Sequence, residues 1–150
     1  ITAECGQASD PAGGEAGFDL LMAVLHLDHW HGKEDRDLRL LEITGRVEVS
    51  PGADIAFEAH ADADLELPAS IEKWNFFERP AGSTFARLPR GGQPLTVIDE
   101  TGRDLTDQFL SIEGDRVILK RTVTPVMLAR SVAAIRDDCL CYFMELPDTI

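Results

Sequence analysis

The sequence predicts a mainly β fold, an antiparallel β-sandwich or barrel carrying one α-helix near the C-terminus. Three observations lead there. The first is an unbroken alternation in which Ile55, Phe57, Ala59, Ala61, Ala63, Leu65 and Leu67 are interleaved with Ala56, Glu58, His60, Asp62, Asp64 and Glu66. Successive strand side chains point to opposite faces, so this stretch reads as one apolar face backed by one acidic face. The second is another alternating run just before it. Leu41, Ile43, Gly45, Val47 and Val49 share one face, and Glu42, Thr44, Arg46 and Glu48 share the other. The third is the spacing of turn residues through the remainder, which leaves short strand-length pieces and a single good helix start.

In chain order, residues 1–17 are small, polar and Gly-rich and read as an irregular N-terminal arm; residues 18–150 read as a single mainly-β domain. Phe18 to His31 is expected as an apolar strand, with a short helix as the rival reading because a continuous apolar run is ambiguous by period, and a charged turn follows at Gly32 to Asp37. The alternating run from Leu41 to Val49 follows, then the turn Ser50-Pro51-Gly52-Ala53-Asp54 and the strand Ile55 to Leu67. At roughly 3.3 Å per residue that last strand would extend about 40 Å, well beyond the usual strand of about 5–6 residues. It must bend around a core or project as a hairpin. Ile71 to Arg79 and Thr84 to Leu88 are expected as strands, as are Leu95 to Ile98 and the hairpin region Ile112 to Val123, turning at Glu100-Thr101-Gly102 and Glu113-Gly114-Asp115. Thr124-Pro125 suits a helix start, with Thr as cap and Pro at the first helical position, and Leu128, Val132 and Ile135 supply an apolar stripe up to Asp137. Cys139 to Leu146 closes the domain as a strand.

Fourteen Lys and Arg against 27 Asp and Glu leave a formal net charge of −13, which argues against nucleic acid and against anionic membranes as partners. No apolar run approaches the ~20 residues that span a bilayer, so a soluble chain is expected, with the cytoplasm slightly favoured. Of the three cysteines, Cys139 and Cys141 share a strand face and are badly placed to pair with each other, whereas either could meet Cys5. Reduced, partly buried thiols are the expectation.

A candidate site follows from register. If Val49 lies opposite Ile55, then Arg46 faces Glu58, Thr44 faces His60 and Glu42 faces Asp62. Carrying the pairing to the first strand, with Trp30 opposite Leu38, adds His26 and Asp28. One sheet face would then gather His26, Asp28, Glu42, His60, Asp62 and Asp64, with Trp30 in its apolar rim. Within it His26, Glu42, His60 and Asp62 form the set suited to a divalent metal, because imidazole and carboxylate ligands fit Zn, Mn or Fe. His29-Trp30-His31 followed by Glu34 or Asp35 has the His-x-His…Glu spacing of cupin barrels, but it lacks the bracketing glycines, and no histidine follows His60.

Two functional readings stand on this. The first is a non-enzymatic binding or assembly module that self-associates or docks through long β-hairpins, because long strands leave edges that need closure or a partner. Trp74-Asn75-Phe76-Phe77 supports it: consecutive bulky residues cannot all face one core by alternation, so some belong at an interface. The second reading is a small metal-binding protein or metal-dependent enzyme using the His/carboxylate face, with His60 or His26 as ligand or general base.

Overall fold

A computed structural model describes residues 11–25 and 41–147, and the chain divides into two compact units, residues 1–38 and 39–150. The described part of the first is a helix, α1 (Pro11–Leu25). It starts inside the stretch expected as an irregular arm and replaces the first eight residues of the strand expected over Phe18 to His31; the rest of that strand lies outside the described residues. An apolar run is ambiguous by period, and here Pro at the first helical position with Ala, Leu and Met behind it decides for helix. Among the described residues, no helix is long and apolar enough to cross a membrane.

The second unit is mainly β. It comprises β1 (Glu42–Val49), β2 (Ile55–Ala56), β3 (Leu65–Glu66), a short 3₁₀ turn (Ile71–Trp74), β4 (Thr84–Arg87), β5 (Leu95–Ile98), α2 (Thr106–Phe109), β6 (Leu110–Glu113), β7 (Arg116–Leu119), β8 (Thr124–Val126), α3 (Val132–Asp137) and β9 (Cys141–Glu145). A four-stranded antiparallel sheet has the order β5-β1-β9-β8, and a five-stranded sheet has the order β2-β3-β4-β7-β6 with one parallel pair, β2 with β3. The two sheets share one core rather than closing into a barrel. Val47 and Phe143 of the first sheet and Leu65, Phe85 and Val117 of the second are all fully buried in it. Phe143 is its hinge point, 5.3 Å from Phe85 edge-on and 5.7 Å from Phe109.

Several expected elements are corrected. The strand from Ile55 to Leu67 is interrupted: only its ends pair, and a turn in which Ala63 N–H donates to His60 O (3.1 Å) folds the chain back between them. Ala, Asp and His are weak strand formers, so Ala59 and Ala61 keep the alternation without supplying an apolar face, and both are exposed. With no long partner there, β1 pairs instead with β5 and β9, placing Arg46 opposite Ile98 and Tyr142 rather than Glu58. Ile71 to Arg79 is a 3₁₀ turn and a β-turn, not a strand. The helix expected from Thr124 begins only after Ser131, whose Oγ accepts from Ala134 N–H at 3.3 Å; Thr124-Pro125-Val126 is an edge strand, where Pro is tolerated. The pieces Thr84 to Leu88, Leu95 to Ile98 and Cys139 to Leu146 hold strands, and Gly114 (φ 65°) makes the tight β6–β7 turn.

Candidate functional site

Among the described residues, the expected polar face is not assembled as a sheet face. His26, Asp28 and Trp30 lie outside the described residues, as do His29, His31 and Cys5. Glu42 is exposed on β1, and its cross-strand partner is Glu145. His60 and Asp62 are exposed and Asp64 is half-buried in the loop between β2 and β3, in the other sheet. The strand pairing that would set Glu42 beside Asp62 is therefore not formed. Acidic side chains of the loop instead close it internally. Asp64 Oδ2 accepts from Asp54 N–H at 2.9 Å, and Arg90 Nη1 lies 3.6 Å from Asp54 and 3.7 Å from Asp64. Glu58 pairs with Arg130 at 3.3 Å, and Arg46 with Glu48 at 2.6 Å. Among the described residues, no group of three or more His, Cys, Asp or Glu is placed to hold a metal ion.

Glu42 does line a cleft of about 670 Å³, together with Glu78, Asp99, Arg103, Arg121 and Glu145. Arg121 Nε lies 2.9 Å from Glu145 Oε1, and its guanidinium sits 5.0 Å from the Phe109 ring centroid. Glu145 is the more buried partner, its side chain 12% exposed against 47% for Arg121. Of the two glutamates side by side, Glu145 takes the guanidinium that follows β7. At the rim, hydrogen bonds from the Thr101 side chain and the Arg103 backbone hold Asp99 below the usual carboxylate range.

A second feature lies at the turn after Trp74. Ile71 is fully buried, Trp74 packs 6.1 Å from Phe85, and the Arg79 guanidinium lies 4.2 Å over the Trp74 ring. The chain then turns, with Phe77 N–H donating to Trp74 O at 3.0 Å. Asn75 has φ −54° and ψ 125°, and Phe76 has φ 65°, which together make a type II turn with a phenylalanine where glycine is favoured. Beside it Met127 also has φ 65°. Hydrogen bonds join the two segments: Phe76 N–H donates to Pro125 O at 2.9 Å, and the Asn75 side-chain amide bonds both the N–H and the C=O of Leu128. Phe76 (56%), Phe77 (68%) and Met127 (61%) all project into solvent. Two strained, bulky, exposed residues thus stand on one rigid base. The sequence shows the aromatics but gives no sign that Met127 joins them, since its left-handed backbone has no glycine to mark it.

Cys139 and Cys141 are free and buried. Burial, with Asp138 adding to it, pushes the Cys139 thiol up to about 11, and burial raises Cys141 as well. Both are protonated at neutral pH, unsuited to nucleophilic work.

Compared with protein-family models, curated proteins and solved structures, the chain matches none of them.

Proposed function

We propose that the chain is a non-enzymatic binding module that docks a partner protein through the face formed by Phe76, Phe77 and Met127. The observation that carries this reading is the coincidence of backbone strain and apolar exposure. A left-handed non-glycine residue costs on the order of 1–2 kcal/mol, and glycine at either position would avoid it. Strain of this kind persists where the surroundings over-determine it, and such sites cluster at active sites, ligand clamps and switch regions. Here the Asn75 bonds to Leu128 fix the turn, so the exposed rings meet a partner already ordered, which lowers the entropy cost of association. Aromatic and methionine side chains are also those that interfaces favour. The docking element is thus a short aromatic turn, in place of a long hairpin.

Selection from a library of random peptides displayed on phage, using the folded chain as bait, tests this. Selected peptides should bind the Phe77→Ser, Met127→Ser double variant about tenfold or more weakly. They should bind an Arg121→Gln variant in the cleft as tightly as the parent. Peptides indifferent to Phe77 and Met127, or no enrichment at all, would contradict the proposal.

A further inference from the structure

The charges around the aromatic turn point to what it takes. The chain carries a net charge of −13, and its arginines are largely engaged: Arg46, Arg87, Arg90, Arg116, Arg121 and Arg130 each pair with a carboxylate. Lys73 and Arg79, on either side of Trp74 to Phe77, form no ion pair with any described residue. Arg79 is held in place by stacking on Trp74, and its buried Nε has no hydrogen-bond partner. Glu78, the acidic neighbour in sequence, lines the cleft together with Glu42 and Glu145. Glu72 accepts from Arg130 N–H at 2.9 Å. Like Arg103, Lys120 and Arg136 elsewhere, Lys73 and Arg79 have no ion-pair partner among the described residues. In sequence these two cations flank the exposed Phe76 and Phe77, with Glu72 and Glu78 as their acidic neighbours.

We infer that the partner is a short protein segment in which carboxylate side chains flank apolar anchors, the anchors packing on Phe76, Phe77 and Met127 and the carboxylates meeting Lys73 and Arg79. The inference rests on the docking face proposed above and adds the chemistry of its occupant. Guanidinium and carboxylate form charge-assisted bonds, and a stacked guanidinium is already ordered for them. An anionic membrane also offers acidic groups and an apolar interior, but its extended surface would meet the acidic remainder of the chain. A short segment senses charge only within a Debye length of about 8 Å, so the more distant acidic surface opposes it less. A second copy of this chain brings the same uncompensated cations and is disfavoured at this face for the same reason.

The experiment uses the peptides selected on the intact chain, each resynthesised with its Asp and Glu replaced by Asn and Gln. The expected result is enrichment of Asp and Glu beside Leu, Ile, Phe or Trp, with a loss of about tenfold or more for the neutral versions at low salt. Lys73→Gln should weaken the acidic peptides and leave the neutral ones unchanged. Lys73 is exposed, so this variant keeps the question answerable if Arg79→Gln disturbs the Trp74 stack. Neutral peptides that bind as well as acidic ones, yet still need Phe77, would overturn the acidic partner and leave the docking face standing. Peptides that ignore Phe77 would remove both. Two further outcomes would overturn the inference in favour of another occupant. One is Phe77-dependent binding to phosphatidylserine vesicles but not to phosphatidylcholine vesicles. The other is a concentration-dependent dimer, seen by sedimentation, that Phe77→Ser abolishes.

Discussion

Asn75 and Leu128 exchange two hydrogen bonds of 2.8 Å through a single side-chain amide, Nδ2 donating to Leu128 O and Oδ1 accepting from Leu128 N–H. The amide thus completes the main-chain pairing of a segment that has no strand beside it. Leu128 is only 4% exposed, so its backbone groups have little access to water. Asn75→Ala would leave a donor and an acceptor unpaired in a nearly dry place and should cost about 1–3 kcal/mol. Asn75→Asp keeps the acceptor alone and should fall between. Denaturant melts of the three proteins measure this, and a loss below about 0.5 kcal/mol for Asn75→Ala would show that the amide does not hold the turn.

Gly45 and Val97 test the core between β1 and β5. A Cβ built on Gly45 would lie 2.6 Å from Val97 Cγ1, and Val97 is fully buried. Gly45→Ala should therefore destabilise by about 1–3 kcal/mol, the usual cost of overpacking. Adding Val97→Ala should recover part of that, a coupling a double-mutant cycle reads directly. Purely additive losses would mean that the glycine serves the backbone irregularity between Ile43 and Gly45 rather than the contact.

The buried thiols give a pH dependence with a definite sign. Unfolded, Cys139 ionises near the ordinary thiol value of 9.0, whereas folded it holds its proton up to about 11. Between those values the folded state binds more protons, so its stability should fall as pH rises through that window. Cys139→Ala should flatten this slope in chemical melts. At neutral pH, mass spectrometry after alkylation should find Cys139 and Cys141 unmodified in the folded protein and modified in denaturant. Ready labelling of Cys141 in the folded state would contradict its burial.

The mainly β class was legible because turn chemistry and apolar content are local. Leu95 to Ile98, Thr84 to Leu88 and the Gly114 turn were identified by the residues they contain. The pairing of strands was not legible, because it depends on which apolar faces find each other across the core. Val47 meets Val97 and Cys141, far away in sequence, and nothing in the run from Leu41 to Val49 announces that. The alternation from Ile55 to Leu67 misled because it counted Ala as apolar. Ala59 and Ala61 bury too little area to hold a strand against the turn at His60 to Ala63. The candidate metal face inherited that register, while Glu42 found a carboxylate neighbour in Glu145. Trp74 to Phe77 was the reverse case: a breach of alternation marked a segment in which Trp74 packs against the core while Phe76 and Phe77 stay exposed.

The most direct measurement is on Phe76→Gly, assayed for both thermal stability and affinity for peptides selected on the parent chain. Glycine adopts the left-handed backbone of this turn freely, so the change should relieve strain of about 1 kcal/mol, a rise in Tm of about 2–4 °C. Affinity should fall about tenfold as the ring is lost. A higher Tm with weaker binding is the expected result, the mark of a residue kept at a cost in stability. A lower Tm would show that Phe76 is there to hold the fold, and unchanged affinity would show that this face is not where the partner docks.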